Sequence, residues 1–208
     1  MAQVNSPEGQ ALAQPIDFYF FIGSLHTYLA VMRIGEAIDA GIEVRWRPFN
    51  LRAIMVEQNN IPARNPVKMA YIYRDVARRA KRLGCPFEHK PKYPLDIELL
   101  ANRVAVVAAQ QGWCREYVTA VYRSWIVEHG SPDNPEALTP ILKALGKEPA
   151  VVLAAADSSS TRILFDAATD EARALGVFGA PTFVVGKEIF WGSDRFDDAV
   201  EWARSVGA

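Results

Sequence analysis

Residues 16–48 read IDFYFFIGSLHTYLAVMRIGEAIDAGIEVRWRP, and this stretch decides the fold. Most of its first seven residues are aromatic or β-branched, which favours a buried strand that ends at Gly23. Apolar residues over 27–40 then recur every three or four positions, so we expect a helix that stops at Gly41. Alternating apolar and charged residues over 42–47 predict a second strand. The stretch therefore forms a β-α-β unit.

The composition of the whole chain excludes several classes of function. With 208 residues, 50% of them hydrophobic and 23% charged, the chain has the composition of a folded protein with one sizeable core. A net charge of -1 argues against nucleic acid as the main partner. No apolar run approaches the ~20 residues of a membrane helix, and residues 1–15 show no secretory signal, so we expect a cytoplasmic protein.

Cysteine and histidine residues are too few and too scattered for a metal centre. The two cysteines, Cys85 and Cys114, form no Cys-x-x-Cys pair, which excludes a disulfide framework and a thiolate metal site. The three histidines do not share the spacing of paired metal ligands on a helix. The sequence therefore predicts no metal, and its chemistry must come from hydroxyls, amides, charges or a cofactor.

Beyond the first unit, the chain predicts a group of helices and then a return to strands. The first three expected helices end at Gly84, near Gln111 and near His129. A fourth helix is expected to start with Thr139 as N-cap and Pro140 in its first turn. A fifth covers 150–156, and a sixth runs from an N-cap at Ser160 to Gly176. A hairpin with strands 182–185 and 188–191 and a final amphipathic helix over 196–203 follow. Five basic residues of the first of these helices are interpreted as solvated surface: Arg74, Arg78, Arg79, Lys81 and Arg82.

Three short segments at strand ends or helix starts could carry chemistry. They are residues 23–27 (Gly-Ser-Leu-His-Thr), 179–183 (Gly-Ala-Pro-Thr-Phe) and 191–195 (Trp-Gly-Ser-Asp-Arg). The start of a helix exposes unpaired N–H groups, which stabilise an anion by about 0.3–1 kcal/mol. Ser24 and Thr27 bracket one such start, and Ser193 and Asp194 another. Helix capping is the simpler explanation of all four residues, and base rates favour a trans Ala180–Pro181 bond.

The order of these segments resembles the thioredoxin-like fold of the DsbA type, which places a cis proline beside the start of the first helix. Residues 24–27, Ser-Leu-His-Thr, stand where that family has Cys-Pro-His-Cys. Since thiol–disulfide exchange needs a thiolate, a hydroxyl with no base beside it cannot perform it. The resemblance therefore implies the fold without the redox couple.

Within this group, the sequence is similar to the 2-hydroxychromene-2-carboxylate isomerase family and the related kappa-class glutathione transferases. The similarity runs from about Ile16 to Ala203. Five matching features occur in order: Ser24, Tyr28-Leu29-Ala30, Asn60-Ile61-Pro62 followed by Lys68, Ala180-Pro181-Thr182, and the Trp-Gly-x-Asp-Arg segment from Trp191 to Arg195. The departures lie at the first turn, where Leu25 replaces a proline, His26 an aromatic residue and Phe21 an aspartate.

The resemblance implies an α/β protein with a thioredoxin-like fold and a helical insertion domain. We expect a flexible tail over 1–15, a thioredoxin-like domain built from 16–50 and 160–208, and a helical insertion over 51–159. Relatives of this kind are commonly dimers, which makes a homodimer an expectation. The expected partners are glutathione and a small aromatic substrate, without nucleic acid or membrane.

Glutathione is the implied cofactor, and the resemblance carries roles over to individual residues. Ser24 would stabilise the glutathione thiolate as the catalytic residue, and the main chain of Ala180 beside Pro181 would pair with the cysteinyl backbone. Ser193 and Asp194 would hold the γ-glutamyl end, whereas Lys68 would meet the glycyl carboxylate, with Asn60 beside it. His26 and Thr27 would contact the substrate, although His26 also fits an ordinary helix-surface position.

The implied activity is a glutathione-dependent isomerisation of 2-hydroxychromene-2-carboxylate or a related aromatic 2-oxo or 2-hydroxy acid, in the breakdown of aromatic compounds. Two alternatives use the same fold. A kappa-like transferase or peroxidase would consume glutathione, and a binding protein would show no turnover. An oxidoreductase of the DsbA type is the weakest alternative because the paired cysteines are absent.

Overall fold

The opening residues form the β-α-β unit that the sequence predicts. In the computed structural model, which describes residues 13–206, strand β1 covers Ile16–Phe20, helix α1 Leu25–Asp39 and strand β2 Val44–Pro48. The two strands are parallel, with Phe18 opposite Trp46. Residues 1–12 of the expected tail lie outside the described residues. At residue 14, the backbone N–H donates a hydrogen bond of 2.8 Å to the carbonyl of Ala203.

A four-stranded mixed sheet organises this part of the molecule. Strand β3 (Thr182–Val185) pairs antiparallel with β1, and strand β4 (Glu188–Trp191) pairs antiparallel with β3, which gives the order β2-β1-β3-β4. The hairpin has the predicted bounds because Gly186, at φ +63°, supplies the left-handed turn position between its strands. The sheet order places the end of β1 beside the start of β3.

Helices fill the chain between β2 and β3. They are α2 (Leu51–Glu57), α3 (Pro66–Leu83), α4 (Leu100–Gln110), α5 (Cys114–Tyr122), α6 (Pro135–Ala144), α7 (Pro149–Asp157) and α8 (Ser159–Ala174), and α9 (Phe196–Ser205) follows the hairpin. A 3₁₀ turn covers Pro62–Arg64, and a π-helical turn, Arg123–Val127, extends α5 toward the predicted end near His129. None of the helices within residues 13–206 is long and apolar enough to cross a bilayer.

Two predicted helix starts are wrong. Helix α6 begins at Pro135, where the Asn134 side chain caps it by accepting the N–H of Ala137 at 2.9 Å. Thr139 and Pro140 lie inside this helix, and the Thr139 hydroxyl donates to the carbonyl four residues earlier, as mid-helix threonines do.

Helix α8 is capped by Ser158 rather than Ser160. The Ser158 hydroxyl accepts the N–H of Thr161 at 3.2 Å, and the helix begins at Ser159. Three consecutive serines at 158–160 are equally good caps by residue type. The periodicity of apolar residues therefore does not distinguish which of them starts the helix.

The larger of the two buried hydrophobic clusters in the described residues joins the sheet to the helices. The Phe18 ring stacks on that of Phe183 with centroids 5.2 Å apart, and the same cluster continues through Val104 of α4 and Trp125 after α5. All four side chains are buried. The inserted helices are thus packed on the sheet, and the loops at the carboxyl end of β1 are supported by both.

Candidate active site

The turn between β1 and α1 is held by the Ser24 side chain. Its Oγ accepts the N–H of Thr27 at 3.2 Å, so Ser24 caps α1, and its hydroxyl donates to the carbonyl oxygen of Ala180 at 2.9 Å. Gly23 before it has φ +121°, and a Cβ there would press on the Phe21 ring at 3.1 Å. The turn therefore needs a glycine and presents the serine to the β3 segment.

A buried polar network supports the backbone just before this turn. The Asn102 side chain accepts the N–H of Ile22 at 2.8 Å and donates to its carbonyl at 2.9 Å. Asn102 also donates at 2.7 Å to the carboxylate of Asp96, which accepts two N–H groups at the start of α4. Burial raises the pKa of Asp96. These residues received no role from the sequence, because an Asn among the alanines and valines of a helix does not reveal its partner.

A tyrosine hydroxyl fixes the other side of the turn. The Tyr122 hydroxyl lies 3.0 Å from the carbonyl oxygens of both Phe21 and Ser24, to either of which it can donate its hydrogen. Burial raises the pKa of Tyr122, so this group remains a neutral donor. Ser24 is thus oriented by hydrogen bonds from α4 and α5 as well as by its own helix.

The Ala180–Pro181 bond is cis, as the resemblance implied and against the base rate. The N–H of Gly192 donates to the carbonyl of Pro181 at 2.9 Å, which brings the segment after β4 beside the proline. An added Cβ on Gly179 would lie 2.1 Å from the Trp191 indole nitrogen. The close approach of the tryptophan to the chain therefore requires glycine at 179.

Ser193 and Asp194 do not cap α9, which corrects the simpler explanation of this pair. The N-cap is Arg195, which makes no side-chain capping bond. Ser193 is only 2% exposed, and its hydroxyl has no hydrogen-bond partner. An Asp194 carboxylate oxygen lies 3.6 Å from a guanidinium nitrogen of Arg79 in α3.

The prediction that five basic residues of α3 form a solvated surface is wrong for one of them, Arg79. Its side chain is 14% exposed because α3 packs on α1, and it reaches both Asp194 and Asp75. The signal in the sequence was Asp75 four residues earlier, a spacing that favours an ion pair on one helix face. The other four basic residues are exposed, as expected: Arg74, Arg78, Lys81 and Arg82.

His26 lies on the first turn of α1, and its side chain faces helix α3. Its Nε2 is 3.6 Å from an Asp75 carboxylate oxygen, and the imidazole is 30% exposed. Burial, followed by the positive charge of Arg79, lowers the pKa of His26 although Asp75 opposes them. The imidazole is therefore neutral at pH 7.

Asn60 and Lys68 contact each other at the beginning of α3. The Lys68 ammonium donates to the Asn60 side-chain oxygen at 2.5 Å, and both residues are exposed. Among the contacts found within residues 13–206, none joins this pair to Ser24. Lys68 precedes Asp75 by seven residues, so the two share a helix face about 10 Å apart along its axis.

The remaining predicted residue, Thr27, is fully buried, and its hydroxyl has no partner. Within the described part of the chain, three buried side-chain polar atoms lack a hydrogen-bond partner, on Thr27, Arg79 and Ser193. Native structures contain few such atoms, and each needs an explanation. Each belongs to a residue at one of the contacts described above: Thr27 is hydrogen-bonded to Ser24, Arg79 faces Asp194, and Ser193 follows Gly192, which is hydrogen-bonded to Pro181. This arrangement suits a small ligand with several polar groups.

A family model described as the DSBA-like thioredoxin domain matches residues 15–201. The chain belongs to this family. Among relatives of this DSBA-like protein, 2-hydroxychromene-2-carboxylate isomerase of Pseudomonas putida is 27% identical over 187 residues, which covers 86% of this chain and 89% of that one. Glutathione S-transferase kappa 1 of Caenorhabditis elegans is 30% identical over 199 residues, which covers 87% of each chain.

The solved structures agree with the sequence relatives. A 2-hydroxychromene-2-carboxylate isomerase matches this DSBA-like protein with a TM-score of 0.81 and 26% identity, covering 92% of this chain and 94% of that one. The α/β thioredoxin-like fold with inserted helices is thereby confirmed. The family resemblance drawn from the five sequence features is confirmed as well.

Proposed function

We propose that this DSBA-like protein is a glutathione-dependent isomerase of 2-hydroxychromene-2-carboxylate or a related aromatic 2-oxo or 2-hydroxy acid. The observation that carries the proposal is the Ser24 hydroxyl, at the start of α1 and 2.9 Å from the carbonyl of Ala180 beside a cis proline. A hydroxyl at this place can stabilise a thiolate that a ligand brings, but it cannot form a disulfide. The relatives named isomerases support the same reading.

The Ser24 hydroxyl can exchange one hydrogen-bond acceptor for another when glutathione binds. Its Oγ keeps the N–H of Thr27, while its single hydrogen turns from the Ala180 carbonyl to the ligand's sulfur. The Ala180 carbonyl is then free to accept an N–H of the ligand's backbone. A hydrogen bond to a charged group is worth about 1.5–3 kcal/mol, enough to lower a thiol pKa by about 1–2 units.

Residues on two other elements would hold the ends of glutathione. Ser193 and Asp194 lie beside Pro181 and would take the γ-glutamyl carboxylate and ammonium, respectively. Lys68, with Asn60 beside it, would take the glycyl carboxylate. An extended tripeptide spans about 10 Å, which is comparable to the rise of α3 between Lys68 and Asp75.

When bound, glutathione would supply a thiolate for reversible addition to a conjugated carbon of the substrate, rotation about the bond that becomes single, and elimination, which would regenerate glutathione. The protein's own groups stabilise the sulfur charge, orient the tripeptide and move protons. A neutral His26 can accept a proton at the first turn of α1 and then return it. Thr27, the other residue expected at the substrate, is fully buried, so its contribution would be to fix the turn that presents His26.

A kappa-like transferase or peroxidase is the second candidate, since the Caenorhabditis elegans relative is named as a kappa transferase. It would use the same residues and consume glutathione. A binding protein without turnover would have the same contacts. The departures at Phe21, Leu25 and His26 bear on which substrate is accepted rather than on the glutathione end.

The reaction belongs to the breakdown of aromatic compounds, and we place it in the cytoplasm, where glutathione is kept reduced. We also propose a homodimer, which the family resemblance implies. Sedimentation equilibrium tests this part: a mass of twice 23.1 kDa supports it, and the mass of a single chain contradicts it.

The test follows the absorbance of 2-hydroxychromene-2-carboxylate and the amount of free glutathione with the wild type and Ser24→Ala. We expect isomerisation without net loss of glutathione, slowed about 10–100-fold in Ser24→Ala by the lost charge-assisted hydrogen bond. Ser159→Ala, an exposed serine in the first turn of α8, is the control and should match the wild type. Conjugate formation would support the transferase instead, and glutathione binding without turnover would contradict catalysis.

A further inference from the structure

We propose that Arg79 is a specificity-determining residue that recognises the α-carboxylate of the γ-glutamyl group and makes the site selective for a γ-glutamyl peptide. This inference rests on the proposed use of glutathione and adds a residue from α3 to its γ-glutamyl end. None of the five sequence features behind the family resemblance includes position 79.

The first observation is that the hydrogen-bonding capacity of Arg79 is largely unused. Its nearest carboxylate oxygens, on Asp194 and Asp75, are 3.6 Å and 3.9 Å from Nη1, beyond the 2.7–3.2 Å of a hydrogen bond. Its Nε is buried and has no partner. Because a guanidinium carries five N–H donors in a planar fork, this one has donors left for a carboxylate.

The second observation is that the neighbouring groups complement an amino acid head group. The Ser193 hydroxyl is buried without a partner in the segment that Gly192 ties to Pro181, and it can also donate to a carboxylate. The Asp194 carboxylate, which faces Arg79, can accept from an ammonium. One cation, one anion and one hydroxyl thus match the carboxylate and ammonium of a γ-linked glutamate.

The charges around Arg79 favour this role over a purely structural ion pair. Asp75 also contacts Arg78 at 3.1 Å, and Asp194 contacts Arg195 at 3.3 Å, so each acidic partner of Arg79 has a second, exposed arginine. His26, the other group beside Asp75, is neutral at pH 7. Arg79 can therefore bind a carboxylate without leaving either aspartate unpaired.

The experiment compares two ligands that differ at the γ-glutamyl end. Binding of glutathione and of cysteinylglycine, which lacks the γ-glutamyl group, is measured by NMR titration at millimolar concentrations for the wild type, Arg79→Gln, Arg79→Lys and Arg82→Gln. We expect Arg79→Gln to weaken glutathione binding about 10–100-fold and to leave cysteinylglycine binding within about twofold. Arg79→Lys, which keeps the charge and loses the fork, should fall between them.

Arg82→Gln is the matched control, since it removes an exposed charge three positions along the same helix that pairs with neither Asp75 nor Asp194 among the described residues. It should bind both ligands like the wild type. The inference is overturned if Arg79→Gln binds glutathione like the wild type, or if it weakens both ligands equally while its circular dichroism spectrum and melting temperature show a folded protein. If the wild type itself binds no glutathione, the proposed function fails, which is a separate result.

Discussion

At the scale of single residues, one imidazole is expected to make stability depend on pH. Burial and Arg79 hold the pKa of His26 below its ordinary value. Below about pH 6.5 the unfolded chain binds a proton at His26 that the folded chain resists, so the folded state loses stability as the pH falls toward the lowered pKa.

His26→Asn should reduce that loss. We expect the variant's free energy of unfolding, measured in urea, to fall less than that of the wild type between pH 7.5 and pH 5.5. At pH 7.5 His26 is neutral, so the difference in free energy of unfolding between the two proteins at this pH measures the effects of the substitution other than protonation. An equal fall in both proteins would show that His26 titrates as it does in the unfolded chain.

The residues that meet around the turn between β1 and α1 are only partly predictable from the sequence. The sequence singles out Ser24, Pro181 and Asp194 as candidates because turns between elements are visible in the sequence pattern. Arg79 was misassigned because its burial depends on α3 packing against α1, which no local pattern encodes. Asn102 was missed for the same reason, since its partner Ile22 lies 80 positions away.

At the scale of elements, helix α4 supports the turn that carries Ser24 through the side chain of Asn102. Asn102→Leu would leave the N–H and carbonyl of Ile22 buried without partners, at about 1–3 kcal/mol each, so we expect a loss of about 2–6 kcal/mol in stability. The turn that carries Ser24 would also be less well fixed, and isomerase activity should fall with it. Urea unfolding and the isomerase assay measure the two effects.

Gln110→Leu is the control for this prediction, because it makes a similar replacement at an exposed position of the same helix. It should change stability by no more than about 0.5 kcal/mol. If Asn102→Leu were as stable and active as Gln110→Leu, the network under the turn would have no supporting role.

Element boundaries could be predicted where backbone geometry leaves one choice and not where several residues are equivalent. The bounds of β3 and β4 were correct because Gly186 and Lys187 leave only a two-residue turn between the strands. The starts of α6 and α8 were wrong because Asn134 competes with Thr139, and Ser158 with Ser160, as helix caps.

At the scale of the whole molecule, one core extends from the sheet through the inserted helices. We therefore expect the thioredoxin-like domain and the insertion, which the sequence divides, to unfold together as one unit. Leu142→Ala, at a fully buried position of α6, should cost about 2–5 kcal/mol and shift the whole unfolding transition.

Far-ultraviolet circular dichroism, which follows the helices, and tryptophan fluorescence check this prediction together. We expect coincident urea curves for the wild type and for Leu142→Ala. Val151→Ala, at a position 65% exposed in α7, should leave both curves unchanged. Separate transitions for the two probes would indicate that the insertion unfolds by itself.

The most direct test of the central claim is the pKa of the glutathione thiol when it is bound to the protein. Thiolate absorbance in the ultraviolet, recorded against pH with saturating protein, gives this value for the wild type and Ser24→Ala. We predict a pKa near about 7 with the wild type, against about 8.5 for a free cysteine thiol and for glutathione bound to Ser24→Ala. A wild-type value equal to that of free glutathione, or a lowered value that survives in Ser24→Ala, would contradict the role assigned to this hydroxyl.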